Sequence, residues 1–350
     1  MSTLRIAVIP GDGIGAEVIP EALRVLHALA AEVGQPITLT PLDLGADRTL
    51  RGGGTLPDDV FASIRDEHDA ILLGALGDPR IPDHSHARDI LLGLRTRLEL
   101  YVNLRPSPCL HPRLNALAHA QPGRLTIVRE NTEGPYAGIG GQLRRGTPDE
   151  VAIEADMNTY RGVDRLVRWA FGFATRRGYT RVTLADKANA MRHGHDLWQR
   201  VFTDTAADHP HITADHRYVD ALAHDLVRDP SGFEVIVAPN LLGDILSDLA
   251  AGLTGGLGLA ASANLHPGAH GLFESVHGSA PSLVGTQRAN PIAAILSAGL
   301  LLANAGHHAV MPRLHRAVHD CVDAGEVTPD LGGTLRTKEA TEAILRRIER

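Results

Sequence analysis

The sequence predicts an α/β protein in which two domains share a parallel or mixed sheet. Three observations carry that expectation. Along the first hundred or so residues, short apolar runs alternate with segments whose apolar residues recur at helical spacing, the pattern of strand–helix–strand units. A length of 350 residues is about two average domains' worth. No repeat, low-complexity tract or flexible linker separates those domains, so the chain is expected to leave the first domain and return to it.

Residues 4–9 read as a buried strand, followed by Gly11-Asp12-Gly13-Ile14-Gly15 and an apolar helix pattern to about residue 31. Residues 36–42, alternating and rich in Thr, read as a second strand. Thr55-Leu56-Pro57-Asp58 reads as a helix start, with a capping hydroxyl, an acid three residues on and proline in the first turn. Residues 69–73 give a third buried strand. Farther on, a strand is expected over 124–130, a Gly-rich loop over 134–146 and an alternating hairpin arm over 150–157. A helix over 159–177 and strands over 180–185 and 233–238 follow. Beyond the Gly-rich stretch 252–258, helices are expected to dominate to the end.

Composition removes several function classes. With 43% hydrophobic residues, 21% charged and a mean hydropathy of −0.06, the chain can bury a sizeable core. A formal charge of −7 argues against a nucleic-acid partner, which selects basic surfaces. No apolar run approaches the roughly 18 residues of a membrane span, and a strand beginning at Leu4 leaves no room for a signal peptide. Cys109 and Cys321 make neither a disulfide framework nor a zinc site. A cytoplasmic enzyme is the expectation. Of the 34 basic residues only Lys187 and Lys338 are lysine. Arginine cannot give up its proton and lysine can, so a retained lysine raises the question of proton chemistry.

Several residues qualify for that chemistry. The opening glycines lack the G-x-G-x-x-G spacing of a dinucleotide fingerprint, and Asp43 falls later than the ~20 residues such a site places before its acid. A strand-to-helix turn needing glycine geometry is favoured over a phosphate cradle. Asp244 and Asp248 lie four residues apart on a predicted helix, with Leu241, Leu242, Ile245, Leu246 and Leu249 expected on its packed side. The two carboxylates repel, and a divalent cation with hard oxygen ligands removes the repulsion; a solvated polar face is the alternative. Asp220, between a strand and a helix, reads as an N-cap or as a third carboxylate for Mg²⁺ or Mn²⁺. Arg95, Arg105 and Arg129 fall at loop-like positions beside strands. Guanidinium forks match carboxylates, so the trio suits a dicarboxylate; taken singly, each also reads as surface charge. Tyr136 is a candidate proton donor or an ordinary tyrosine. The pairs His84/His86, His193/His195 and His307/His308 lack a third spaced ligand and are expected in surface and capping roles.

Seven motifs follow one another in a recognisable order. They are Gly11-Asp-Gly-Ile-Gly-Ala-Glu17, Leu94-Arg95, Asn103-Leu-Arg-Pro106, Arg129-Glu-Asn-Thr-Glu-Gly-Pro-Tyr136, Asp186-Lys-Ala-Asn189, Gly243-Asp-Ile-Leu-Ser-Asp248 and His277-Gly-Ser-Ala-Pro281. Over nearly the whole chain they resemble the β-decarboxylating dehydrogenases, the isocitrate/isopropylmalate dehydrogenase family, and most nearly its isopropylmalate branch. The resemblance implies that family's non-Rossmann fold with a dimerisation arm and a homodimer whose active sites are shared between chains. It implies an outer, cofactor-side domain of residues 1–101 and 252–350, and a central domain of 102–251 with the substrate and metal site.

The same resemblance implies roles. Arg95, Arg105 and Arg129 would bind the malate carboxylates, and Leu91, Leu92 and Ala190 would line the alkyl pocket. Asp244 and Asp248 would hold Mg²⁺ or Mn²⁺ with Asp220 of the partner subunit, which also borders the substrate. Lys187, likewise from the partner, would help take the hydroxyl proton, and Tyr136 would protonate the enolate carbon after carbon dioxide leaves. NAD would lie along Ile14, Leu73, Gly74, Ala75, Glu274, His277, Gly278, Ser279, Ala280, Pro281, Ser282 and Asn290. The implied reaction is NAD-dependent oxidative decarboxylation of a 3-alkylmalate, most simply 3-isopropylmalate. The alternatives are another 3-substituted malate, D-malate or tartrate, or a non-catalytic regulatory subunit. Two positions depart from the pattern. Ser282 stands where NAD-using relatives usually place an Asp, and Ala190 where isopropylmalate enzymes usually carry a valine. A modest preference for NAD and loosened alkyl selection are the expectations.

Overall fold

A computed structural model describes residues 2–117 and 123–349; the expected domain limits at residues 1 and 350 lie outside them. β1 (Leu4–Ile9) is buried from Ile6 to Ile9, as an interior parallel strand covered on both faces must be. It leads into α1 (Gly15–Glu32), which buries a stripe including Val18, Ala22, Val25 and Leu29. β2 (Ile37–Pro41), α2 (Ala46–Leu50), α3 (Asp58–Glu67) and β3 (Ala70–Leu73) follow. The helix at residue 58 starts where predicted but without the predicted cap. Pro57 occupies the N-cap with φ −59°, and Thr55 Oγ1 points to Asp89 Oδ2 at 3.4 Å instead. The fixed φ of proline supplies the helical entry that the hydroxyl was expected to supply.

Next come α4 (Ser85–Arg97), β4 (Val102–Pro106) and β5 (Thr126–Glu130). The expected Gly-rich loop contains one side of a hairpin: β6 (Gly140–Leu143) pairs antiparallel with β7 (Val151–Glu154), and both are exposed throughout. α5 (Tyr160–Arg177) is capped by the Thr159 side chain, which accepts from the Gly162 N–H. β8 (Arg181–Asp186), α6 (Gly194–Ala207), β9 (Thr213–Tyr218), α7 (Val219–Arg228), β10 (Val235–Ala238) and α8 (Asn240–Leu253) complete this part. Helices dominate beyond residue 258, but two strands that the sequence did not announce precede them, β11 (Ala261–Leu265) and β12 (Gly271–Ser275), an antiparallel pair. Their sequence, rich in Ala, Ser and Gly, is poor in strand formers; full burial between neighbouring strands decides the conformation over propensity. α9 (Ile292–Asn304), α10 (Val310–Asp323) and α11 (Thr337–Ile348) close the chain.

One mixed sheet runs β2-β1-β3-β12-β11-β4-β5-β10-β8-β9. Its pairs are parallel except β12–β11, β11–β4 and β4–β5, at the middle. Strands from residues 4–73 and 261–275 form one half of the sheet and strands from 102–238 the other. α9, buried from Ile292 to Ala303, packs on β11, β12 and α1, which is why it is apolar all round. No described helix is long and apolar enough to cross a membrane.

On α10, burial lowers the half-buried His315 imidazole to about 4 from its ordinary 6.5, so the fold accommodates the neutral ring. Above about pH 6.5 the ring is neutral whether or not the chain is folded, and the stability is fully present. As pH falls through 6.5 toward 4, the unfolded chain binds a proton that the folded chain refuses, and up to about 3 kcal/mol is lost. His315→Gln should flatten this acid slope in urea unfolding followed between about pH 7 and about pH 4.5. An unchanged slope would contradict the assignment.

Candidate active site

A cleft of about 870 Å³ opens at the centre of the sheet. α4 and the loop after β12 border one side; the ends of β4 and β5, residues 135–142 and the first turns of α8 border the other. The three predicted arginines meet there, but none sits on a loop. Arg95 is on α4, Arg105 on β4 and Arg129 on β5. The β4–β5 register places Arg129 opposite Asn103, two residues from Arg105, and period-two alternation turns both guanidinium groups to the same face. All three are buried, with Arg129 only 1% exposed.

Each buried cation has an anion. Arg95 Nη2 donates to Glu274 Oε1 at 3.0 Å. Arg105 Nη1 donates to Ser247 Oγ at 2.7 Å, Asp244 Oδ1 at 3.1 Å and Asp248 Oδ1 at 3.3 Å. Arg129 Nη1 donates to Asp244 Oδ1 at 2.5 Å, and its Nη2 to Asn240 Oδ1 at 2.8 Å. Burial lowers Arg129 to about 9, with Arg105 and Arg95 acting the same way against Asp244 and Tyr136; it stays a cation at neutral pH. Burial also lowers Arg105, opposed first by Asp244. At Asp244 burial raises the carboxyl, but Arg129, Arg105 and the Tyr136 hydrogen bond outweigh it and hold it below its ordinary value. Asp248 is raised, by burial first and by Asp244, against the pull of Arg105.

Tyr136 lies on a single 3₁₀ turn, Pro135–Ala137. Its hydroxyl donates to Asp244 Oδ2 at 2.7 Å. Burial, that hydrogen bond and the Asp244 charge raise the phenol above its ordinary 10, so it holds its proton at neutral pH. The Arg129 guanidinium lies 5.1 Å from the ring centroid, a cation–π contact that fixes the ring.

α8 corrects the expected packed side. Leu246 is buried, and Leu242 and Leu249 pack against the core, but Leu241 is 40% and Ile245 59% exposed. The helix lies against the sheet through Gly243, where an added Cβ would stand 2.7 Å from Arg129 Cβ. That close approach rotates Leu241 and Ile245 outward and brings Asp244 to the cleft.

Sequence reasoning missed the polar frame behind the arginines. Asn264 Nδ2 donates to Glu274 Oε1 at 2.9 Å, and Asn264 Oδ1 accepts from Asn103 Nδ2 and Asn131 Nδ2, each at 2.9 Å. Asn240 and Ser247 were missed as well, as were the cleft-lining Arg88, Gln142 and Glu154. The signal for Asn103 was its spacing of two from Arg105. Asn264 offered none while its strand went unread.

At the opening glycines the turn reading fits. Gly11 and Gly13 have φ of 71° and 57°, and added Cβ atoms would lie 2.3 Å from Ala75 O and 2.1 Å from Ser279 O. Asp12 accepts from Ala46 N–H and Gly77 N–H and pairs with His86 Nε2 at 2.9 Å. Ala75, Glu274, His277 and Gly278 line the cleft. Ile14, Leu73 and Ser279 are buried beside it, Ile14 N–H donating to Ser279 O, and a Cβ on Gly74 would meet Pro10 O. Ala280 has φ +39°, and Pro281 and Ser282 are exposed beyond it. The Asn290 amide is used internally, on Asp330 and the Ile292 N–H. His277 Nδ1 donates to Gly278 O, which leaves Nε2 a buried acceptor without a partner among the described residues; burial lowers this imidazole.

Lys187, Ala190 and Asp220 do not line the cleft of their own chain. Lys187 Nζ donates to Asp220 Oδ1 at 2.6 Å, and this bond lowers the Asp220 carboxyl. Asp220 is inside the first turn of α7, with Tyr218 at the N-cap position, so the cap reading is corrected. Ala190 is exposed. Among the described residues no three His, Cys, Asp or Glu side chains of one chain are grouped to hold a metal. Two histidines expected in surface or capping roles are buried: His86 under Asp12, and His195, whose Nδ1 accepts from the Lys187 N–H.

Known proteins share this arrangement of sequence and fold. The family model for isocitrate/isopropylmalate dehydrogenase matches residues 5–344. A 3-isopropylmalate dehydrogenase of Leifsonia xyli subsp. xyli is 49% identical over 324 residues, covering 90% of each chain. One of Clavibacter sepedonicus is 47% identical over 99% of this chain and 98% of its own. The crystal structure of isocitrate dehydrogenase from Methylococcus capsulatus superposes with a TM-score of 0.89 at 36% identity, over 99% of this chain and 100% of that one.

Proposed function

Because the chain belongs to the isocitrate/isopropylmalate dehydrogenase family, we propose that it oxidatively decarboxylates a 3-alkylmalate with NAD. The substrate of this reading is 3-isopropylmalate and the product 2-oxo-4-methylpentanoate, a step of leucine biosynthesis. One observation carries it: three buried arginines and the apolar Leu91 and Leu92 converge on one cleft. The arginines match two carboxylates bidentately. The leucines accept an uncharged alkyl group and themselves offer no charge to a further carboxylate.

Arg95, Arg105 and Arg129 orient the dianion. Tyr136 keeps its proton until the enolate carbon needs it. Asp244 and Asp248 are hard oxygen donors on adjacent helical turns and fit Mg²⁺ or Mn²⁺ together with Asp220 of the partner subunit. The unpartnered His277 Nε2 and Ser275 Oγ, with the segments at Ile14, 73–75, Glu274, 277–282 and Asn290, fit NAD. A bound cation would supply stabilisation of oxyanion charge, and bound NAD would supply the hydride acceptor. Lys187 receives the hydroxyl proton in the partner's cleft, since it does not reach its own.

The homodimer belongs to this reading. Leu241 and Ile245 on α8, and Leu143, Val151 and Ile153 on the β6–β7 hairpin, are exposed on a single chain, and exposed apolar surface of this kind marks an interface. We place an outer domain at 1–101 and 252–350 and a central one at 102–251, following the two halves of the sheet. A cytoplasmic location accords with two unpaired cysteines.

The test is steady-state turnover of 3-isopropylmalate, isocitrate, homoisocitrate, D-malate and tartrate with each nicotinamide cofactor. 3-Isopropylmalate with NAD should be fastest, and better turnover of isocitrate would overturn the reading. Ser282 lacks the charge that repels a 2′-phosphate, so Ser282→Asp should widen the NAD over NADP margin by about tenfold. An unchanged ratio would remove Ser282 from the cofactor site.

A further inference from the structure

A second cavity lies on the sheet face opposite the cleft. It holds about 300 Å³ between α5 and α9, over β4, β11 and β12. Its floor is apolar: Leu104, Ala263, Leu265, Phe273 and Leu300, each at most 8% exposed. One wall is Trp169 stacked on Phe173, with ring centroids 5.2 Å apart. Arg176, Arg177 and His308 line it as well, and all three are exposed.

The charge of this site is one-sided. Among the described residues no acidic one lines it, on a chain whose formal charge is −7. Arg177 Nη2 lies 3.4 Å from His308 Nδ1, and that ring nitrogen can only accept there. Arg176 makes no ion pair among the described residues.

We propose that this cavity binds a small monocarboxylate with an aliphatic body. The floor buries the aliphatic part, and Arg176 and Arg177 meet the carboxylate at the mouth. The volume lies at the low end of small-molecule sites, too small for a nucleotide. Inorganic anions lack an apolar part to cover the floor, and neutral hydrocarbons leave both guanidinium groups without a counter-ion.

The cavity is one strand-thickness from the cleft. Leu104 and Arg105, Ala263 and Asn264, and Phe273 and Glu274 are successive residues on three adjacent strands. Alternation puts the first of each pair in the cavity and the second in the polar frame of the cleft. The site also joins α5 of one half of the sheet to α9 of the other. An occupant therefore touches the strands that hold Arg105 and Glu274.

The chain carries its own reporter. Of its two tryptophans, Trp169 lines the cavity, while Trp198 is fully buried with its Nε1–H donated to Asn158. Titration of the intact protein with 4-methylpentanoate should change tryptophan emission saturably. The alcohol of the same shape, 4-methylpentan-1-ol, should bind about tenfold more weakly, and Arg176→Glu should weaken the carboxylate by at least about tenfold. Ala303→Leu, which fills the cavity, should abolish the signal. Arg176 is exposed, so its charge reversal keeps the test valid should Ala303→Leu fail to fold. Absence of saturation, equal affinity for acid and alcohol, or a response untouched by Arg176→Glu would each overturn the proposal. Binding of the acid in the main cleft would give the last of these results.

Discussion

Asp244→Asn is expected to lower kcat/KM by about three orders of magnitude, the scale of losing a preorganised charge at a reacting centre. Asp244 is where the site's interactions meet: one carboxylate oxygen takes Arg129 and Arg105, and the other takes the Tyr136 hydroxyl. The amide keeps the shape but loses the charge. Cation affinity falls with it, because only Asp248 then remains as a carboxylate on that helix face. Arg129 and Arg105, buried at 1% and 6% exposure, also lose their nearest counter-charge. The folded state should lose roughly 1 kcal/mol; the usual cost of breaking a buried pair is higher, but Asp244 is itself a third exposed and solvent screens it. Kinetics against Mn²⁺ concentration would separate the two effects. A variant with unaltered Mn²⁺ dependence would show that Asp244 serves only the arginines.

Tyr136→Phe and Lys187→Arg should each reduce turnover by about 10²–10⁴-fold, the range of one lost proton-transfer group. They should fail at different steps. Tyr136→Phe keeps the ring over which Arg129 lies and removes only the proton donor, so NAD reduction in a single turnover should stay fast and run ahead of product release. Lys187→Arg keeps a cation near Asp220 and removes the group able to accept the hydroxyl proton, so NAD reduction itself should slow. Equal defects in both steps for both variants would argue against separate roles.

Much of this was legible in the sequence, and the reasons differ from place to place. β1, β3 and β10 are short apolar runs bounded by turn residues, so their pattern is decisive. β11 and β12 went unread because Ala, Ser, Asn and Gly carry no strand signature; their conformation comes from neighbours distant in sequence. Arg95, Arg105 and Arg129 were singled out from side-chain chemistry but read as loop-like; Arg95 lies on α4 and the other two on strands, where a buried arginine such as Arg105 looks like a break in an apolar run. Ile245 shows the converse error. Its helical spacing marks an apolar stripe, but spacing does not say whether the stripe faces the chain's own sheet or another molecule. Glu274 was read as a cofactor residue, and its pairing with Arg95 links positions 179 residues apart, which local pattern cannot reveal.

The central claim is that each active site is built from two chains, Tyr136 from one and Lys187 from the other. Purified Tyr136→Phe and Lys187→Arg proteins, each nearly inactive, can be mixed, unfolded and refolded together, with heterodimers verified by differential tags. Random pairing of two-fold dimers makes half of them mixed, each with one intact site, so about a quarter of the unmodified protein's activity should return. Heterodimers that form but stay as inactive as their parents would contradict the shared site.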